Sequence, residues 1–382
     1  MMGAASALAE LETPRLLLDG DRLQRNAARM RERCAVLGVA LRPHLKTAKS
    51  VEVARMAGGG APGPVTVSTL AEAEYLAAAG WRDILYATAI APAKVARVAR
   101  IGRDTGARLL LVVDSPEAAA LLGAAAAAQD VTFGILAEVD CGEHRSGTAP
   151  ASAELAAVAA SISDAAPHIR LEGVMTHAGH SYALDDTARV QTLAEAERAA
   201  AVSSAEMLRA LGHPCTIVSV GSTPTVLFAK HLHGVTEARA GIYLFNDLAQ
   251  LSRGVCAEAD IAVSVLATVI GHQRRGPSLV LDAGALALSK DIGANRFLPD
   301  ARYGWVCDPD TLERLGTLSV ETVHQEHGTV PVPDEKWFAR LPVGSAVRIL
   351  PNHACLTCAA YGSYDVLRDG AVVDHWARTG GW

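Results

Sequence analysis

The sequence predicts an α/β fold, a closed TIM-like (β/α)8 barrel followed by a C-terminal all-β domain, and three observations carry that expectation. Strand-like and helix-like runs alternate through the first two thirds of the chain, and the strand count reaches about eight. Near Cys256 the helical periodicity fades, and short apolar runs separated by turns and long loops take over. One lysine, Lys46, stands where an early apolar strand gives way to a helix.

In chain order, a strand at 15–19 and a helix at 22–37 lead into the segment ALRPHLKTAKS, residues 40–50. Strand-like runs follow at 65–68, 84–87, 108–114, 134–140, 171–177, 216–220 and near 237–244. Helix-like stretches at 69–79, 93–103, 116–128, 151–165 and 187–211 lie between them, the spacing of a parallel sheet covered by helices. Beyond Cys256 the strand signals fall at 261–270, 278–282, 318–323, 346–350, 364–367 and 371–375, and Asp369-Gly370 marks a hairpin turn. The expected domains are a barrel over 21–255 and a β domain over 256–382 that recruits the N-terminal strand from 1–20.

The 382 residues exceed one ordinary core. A net charge of −6 without a basic patch argues against nucleic acid as a partner. The N-terminal stretch MMGAASALAELETP lacks a basic leader region, and no apolar run reaches membrane-spanning length, so a cytoplasmic protein with no membrane partner is expected. Seven scattered cysteines fit reduced thiols better than a disulfide framework.

If the lysine strand runs through Lys46, Arg42, His44 and Lys46 share one face, and Thr47 caps the next helix. A lysine among cations or in a desolvated pocket can form a Schiff base with an aldehyde, whereas the plain alternative is a surface loop lysine. The run VSVGSTPT ends a strand and opens a helix, with Gly221, Ser222 and Thr223 in the turn, Thr223 as cap and Pro224 at the first helical position. That is a candidate phosphate cradle, which Gly241 and Tyr243 could complete; an ordinary capped helix is the alternative. In ILPNHACLTC, His353 and Cys355 face the same way if the chain stays extended, a donor pair suited to a borderline-soft divalent ion. Two buried residues with no metal, or a redox pair of Cys355 with Cys358, are the competing readings. EVDCGEHRSG, with Arg145 among glycines, and THAGHSY, with Tyr182, sit where barrel loops emerge, although their histidines can equally be satisfied loop residues.

The motifs LETPRLLLD, LRPHLKTAKS, VDCGEHRSG, THAGHSY, VSVGSTPT, ARAGIY, QEHG and PNHAC, in this order, resemble the pyridoxal phosphate enzymes of the alanine racemase fold. Within them the resemblance is to the branch of D-serine dehydratases, D-threonine aldolases and D-threo-3-hydroxyaspartate dehydratases, the last also in SVLATVIGHQ and the terminal GGW. It implies that Lys46 carries the cofactor covalently, that Gly221, Ser222 and Thr223 bind its phosphate with help from Tyr243, and that Arg145 lies near its phenolic oxygen and Tyr182 near its pyridine nitrogen. It implies a metal on His353 and Cys355, zinc first, with manganese or magnesium as alternatives. In the aldolase members the second ligand is usually an aspartate, whereas here it is Cys355, as in the dehydratases.

The activity so implied is metal-assisted loss of water from a D-β-hydroxy amino acid, either 3-hydroxyaspartate or serine, giving a 2-oxo acid and ammonia. Retro-aldol cleavage to glycine and an aldehyde is the main rival. Racemisation needs no metal and wants a second base, and a non-catalytic cofactor-binding protein would need neither β domain nor metal pair. Fold relatives imply a homodimer.

Overall fold

The computed structural model describes residues 7–382; the first six residues, part of the stretch read for a leader, lie outside the described residues. Two compact units emerge. One comprises Ala27–Tyr243 with Thr379–Trp382, and the other the described residues up to Asn26 with Leu244–Arg378.

The first strand, β1 (Arg15–Asp19), belongs to the second unit and helix α1 (Gly20–Leu37) follows it. The first unit is a sheet of eight parallel strands: β2 (Ala40–Leu41), β3 (Val65–Val67), β4 (Asp83–Ala89), β5 (Arg108–Val113), β6 (Phe133–Val139), β7 (Ile169–Thr176), β8 (Ile217–Val220) and β9 (Glu237–Ala238). Their order is β2-β9-β8-β7-β6-β5-β4-β3, and the ends meet where the extension of β2 bridges β3 at His44 and Thr66, as the predicted barrel requires. Helices α2 (Val51–Ala57), α3 (Leu70–Ala78), α4 (Val95–Thr105), α5 (Pro116–Ala128), α6 (Ala153–Asp164), α7 (Thr187–Ala210) and α8 (Thr223–Phe228) alternate with the strands. Thr69, Ser115, Ser152 and Asp186 cap α3, α5, α6 and α7 by accepting a backbone N–H, so the sequence sets these helix starts locally. Between the strands, Leu85, Leu110, Val112, Leu136 and Met175 form an apolar cluster.

Two strands are shorter than the pattern suggests. The run near 237–244 gives a strand of two residues, because Gly241 passes so close to His44 that a Cβ would lie 2.5 Å from its carbonyl oxygen, and 242–244 coil into a 3-10 turn. The regular lysine strand stops at Leu41, although Arg42 N–H and His44 N–H still bond to Ala238 and Ala240 carbonyls at 2.9 and 2.8 Å.

In the second unit, β10 (Val263–Gln273), β11 (Ser278–Leu281), β12 (Gly304–Cys307), β13 (Arg314–Ser319), β14 (Thr322–Val323), β15 (Gly328–Pro331), β16 (Ala346–Pro351), β17 (Ser363–Arg368) and β18 (Ala371–Ala377) form a ten-stranded sheet with β1. β1 lies antiparallel to β10 and parallel to β17, so the N-terminal strand sits inside this sheet. Asp369 and Gly370 both have positive φ, 48° and 77°, the turn that joins β17 to β18. The units part at Tyr243/Leu244, against a sequence-based boundary at 255/256. Leu248, Ala249 and Cys256 pack with Trp305 and Leu350, and Ala249 N–H bonds to the Asn352 carbonyl at 3.0 Å. Among the described residues, no helix is long and apolar enough to cross a membrane.

Candidate active site

Pro43 has no N–H to donate and Leu45 N–H turns to the Thr66 carbonyl at 2.9 Å, so the chain leaves the sheet and presents Lys46 in a turn. Lys46 lines a cavity of about 390 Å³ in the barrel unit, with His44, Ser68, Glu138, Arg145, His177, Gly221 and Arg239. The expected basic trio is altered. Arg42 is buried and spent on Glu237 at 2.8 Å and Asp83 at 3.0 Å, and it does not line the cavity. Burial, with help from Lys46 and Arg239, drives the His44 pKa well below its ordinary value, so His44 is a neutral imidazole. Lys49, the nearest other lysine, pairs with buried Glu72 at 3.4 Å. Ser50, rather than Thr47, holds the N-cap position of α2, without a side-chain capping bond.

The loop after β6 carries Arg145. Its base is pinched shut by Asp140 N–H to the Thr148 carbonyl (2.8 Å) and Thr148 N–H to the Glu138 carbonyl (3.0 Å). Inside the loop, Asp140 Oδ1 accepts from the N–H groups of Gly142 and His144 at 2.8 and 3.0 Å, and His144 pairs with Asp140 through its ring. The structure thus makes His144 a satisfied loop residue. His177, at the end of β7, donates from Nδ1 to the Gly221 carbonyl at 2.6 Å, which leaves Nε2 as an acceptor in the cavity wall. Burial, opposed by that bond and assisted by Lys46, Arg239 and Arg145, lowers its pKa to about 3.

At the head of α8, Gly221 has φ +147° and a Cβ there would fall 2.3 Å from the Arg239 carbonyl oxygen. Any other residue would push this turn away from the Arg239 backbone, so glycine lets the head of α8 sit at the cavity wall, where a cofactor cradle is expected. Ser222, rather than Thr223, is the N-cap; Thr223 opens the helix and Pro224 is its second residue. The Ser222 hydroxyl lies 2.8 Å from that of Ser181 and 3.0 Å from that of Thr225. Long contacts gather around Thr223, whose N–H points to the Tyr182 hydroxyl and whose hydroxyl accepts from Tyr243 N–H, both at 3.4 Å. Tyr182 therefore places its hydroxyl at the head of α8, and neither it nor Tyr243 is among the cavity-lining residues. Burial raises the Tyr243 pKa above its ordinary value, which keeps the phenol neutral.

In the second unit His353 is the N-cap of a short helix, Ala354–Ala359, so Cys355 sits on a helical turn and not on the expected extended chain. Imidazole and thiol still meet. Burial disfavours the imidazolium, but hydrogen bonds to Asp291 and Cys355 outweigh it and push the His353 pKa up to about 11. The Asp291 contact, at 2.6 Å to Nδ1, leaves Nε2 for a ligand. A carboxylate behind a histidine is the usual brace of a metal-binding imidazole, so the donor set fits a divalent ion. Among the described residues no group of three or more His, Cys, Asp or Glu side chains is arranged around a metal. Cys358 is fully buried, and burial raises its pKa to about 12, which removes it as a reactive partner for Cys355.

Sequence reasoning passed over three of these groups. Asp291 had a local signal, since its Oδ1 accepts from Gly293 N–H at 2.8 Å in an Asp-x-Gly turn. Glu197 had none. It is one acid in an Ala-rich helix, yet its carboxylate accepts from Ala178 and Gly221 N–H at 3.1 and 3.0 Å and ties together the loops after β7 and β8. Arg239, two residues before Gly241, stood inside ARAGIY without a role and proves to be buried beside the cavity.

Comparison with known proteins agrees with this architecture. Residues 18–248 match the alanine racemase N-terminal domain and residues 262–367 a domain described as a putative serine dehydratase domain. D-threo-3-hydroxyaspartate dehydratase of Delftia sp. strain HT23 is 46% identical over 98% of this chain and 99% of its own. Its solved structure superimposes with a TM-score of 0.94 over 99% of this chain and 100% of that one, and another, of a cysteine-to-alanine mutant, is of the metal-free form. D-serine dehydratase of Dictyostelium discoideum is 30% identical over 97% of this chain and 98% of its own.

Proposed function

We propose, on the premise that this chain belongs to the alanine racemase family through its barrel and to the serine dehydratase branch through its β domain, that it is a dehydratase of D-β-hydroxy amino acids. It depends on pyridoxal 5′-phosphate and a divalent metal. The substrate is D-threo-3-hydroxyaspartate or D-serine, and the products are ammonia and oxaloacetate or pyruvate. The observation that carries this reading is His353, braced by Asp291 at 2.6 Å, beside a cysteine rather than an aspartate.

Pyridoxal phosphate supplies an electron sink for charge developing at the α-carbon, and the metal a Lewis acid for the departing hydroxide. Lys46 would hold the cofactor, and its Nζ, when free, would be the base that takes the α-proton. Thr223, Tyr243 and Tyr182 would hold the phosphate, with Gly221 and Gly241 letting the backbone of the two turns pack closely and Ser222 spent as the helix cap. Arg145 would receive an anionic oxygen of ligand or cofactor. His353 and Cys355 would hold the ion, and a thiolate ligand would favour zinc over magnesium. The enamine released after loss of water hydrolyses to the 2-oxo acid and ammonia. The family resemblance and seven free cysteines support a cytoplasmic homodimer.

Assaying D- and L-β-hydroxy amino acids for keto acid, ammonia, glycine and aldehyde tests the reading. Keto acid and ammonia in equal amounts from a D-substrate are expected; glycine with an aldehyde would refute it.

A further inference from the structure

Glu138 is a buried acid in the wall of a cavity that, on the proposed function, must receive an anionic amino acid and a phosphorylated cofactor. A carboxylate there repels both. Something must repay it, and the candidates are few. Of the cavity-lining guanidiniums, Arg239 is engaged by Ser219 Oγ and the Thr176 carbonyl, both at 2.5 Å. Arg145 is left, on the tip of the pinched loop, with its side chain 54% exposed. Its Nη2 lies 3.9 Å from Glu138 Oε1, whose side chain is 8% exposed, and its Nη1 lies 3.6 Å from Glu143 Oε2, 23% exposed. One guanidinium thus stands between a dry carboxylate inside and a wetter one on its own loop.

The loop cannot settle the choice by itself. Its base is fixed to the backbone of Glu138, but Gly142 and Gly147 have φ of 113° and 96°, and four side-chain torsions separate the Arg145 guanidinium from that anchor. The Glu143 carboxylate lies over Gly179, where a Cβ would fall 2.0 Å from its Oε1. The two acceptors therefore compete for one side chain from opposite sides. Charge pairs are stronger where water is excluded, so the inner carboxylate has the advantage. Burial raises the Glu138 pKa, and the bond from Ser146 and the charges of Arg145 and Arg239 oppose that and favour the carboxylate, so the inner acid depends on its cationic partners to stay ionised.

We propose that Glu138 is a positioning residue: its carboxylate holds the Arg145 guanidinium over the Lys46 cavity as the receptor for a carboxylate of the ligand, and Glu143 is the rival acceptor that draws the same guanidinium toward the rim. This rests on the Lys46 cavity being the substrate site. An entering carboxylate replaces Glu143 as the second partner of Arg145, and the arginine then bridges ligand and Glu138. The ligand class favoured is an amino acid or dicarboxylate.

Malonate, which has no amine and cannot react, separates this from turnover. Its dissociation constant is measured by calorimetry on the holoenzyme of the wild type, Glu138→Gln, Arg145→Ala, the double variant and Glu143→Gln, each checked for native circular dichroism. Glu138→Gln should weaken malonate about tenfold, the double variant should bind no more weakly than Arg145→Ala alone, and Glu143→Gln should bind about two- to fivefold more tightly. Wild-type affinity in Glu138→Gln, additive losses in the double variant, or no malonate binding by the wild type each overturns the proposal. Should Glu138→Gln not fold, unchanged or weaker binding in Glu143→Gln overturns it alone. A wild type that binds malonate but makes no keto acid refutes the reaction assigned above and leaves this coupling standing.

Discussion

Replacing Gly221 by alanine would insert one methyl group at the tightest point of the cofactor cradle. The backbone there has φ +147°, and the added Cβ would meet Arg239 O at 2.3 Å and Arg239 C and N at 2.7 Å. None of these is the movable end of a side chain. If the turn stays in place, the backbone conformation alone costs about 1–3 kcal/mol. If it moves, Gly221 N–H leaves the buried Glu197 carboxylate, now 3.0 Å away, and a charge-assisted bond worth about 1.5–3 kcal/mol is lost. The two routes are alternatives, so the cost is about 1–3 kcal/mol, below the stability of a typical domain. The protein should fold. Urea unfolding of the apoprotein and absorbance titration with pyridoxal phosphate divide the cost between stability and affinity. Their summed loss should be about 1–3 kcal/mol, up to two decades in an equilibrium constant. Losing only the Ser222 cap should cost about 1 kcal/mol. If Gly221→Ala matches the wild type within about 0.5 kcal/mol in both measurements, the cradle is wrongly drawn.

Lys46→Ala should abolish the near-visible absorbance of lysine-bound cofactor, and borohydride reduction of the wild type should tag Lys46; a tag on Lys49 or Lys290 would overturn the assignment. Asp291→Asn should weaken metal binding about 10- to 100-fold in chelator competition, since it removes the brace on His353. Unchanged affinity would remove Asp291 from the site. For His177, folding lowers the pKa from 6.5 to about 3, so below pH 6.5 the unfolded chain takes up a proton that the folded one refuses. Its contribution is fully present above pH 6.5 and is lost toward pH 3, at up to about 1.4 kcal/mol per pH unit. Urea midpoints between pH 7 and 4.5 should therefore fall less steeply in His177→Gln than in the wild type, and equal slopes would contradict a neutral buried imidazole.

The barrel was legible because strands such as 108–113 are buried on both faces and read as one apolar run, while Ser115, Ser152 and Asp186 mark helix starts by their own capping chemistry. The β domain was less so. Its strands β12 and β15 are four residues each and hold their places through partners far away in sequence, with Gly304 paired to Pro351 and Ser278 to Pro331. Lys46, His353 and Cys355 were found from residue type and spacing, but their geometry was not. The chain turns at Pro43 where a straight strand was expected, and it begins a helix at Ala354 where an extended segment was expected. Asp291 is 62 residues from His353, and Glu197 is 24 from Gly221, so no local pattern could join either pair. The same distance in sequence hid the neutralisation of Arg42 by Glu237.

On the proposed function, a metal on His353 and Cys355 would make loss of the β-hydroxyl possible, while Lys46 and the cofactor alone would suffice to loosen the α-proton. The direct test is to strip the holoenzyme with a chelator, verify the loss of metal, and follow two signals from one D-β-hydroxy amino acid in heavy water. Ammonia release should fall by about two or more orders of magnitude and return with zinc, while the lysine-bound cofactor spectrum and exchange of the α-proton persist. Ammonia release at the full rate from metal-free enzyme would contradict the account.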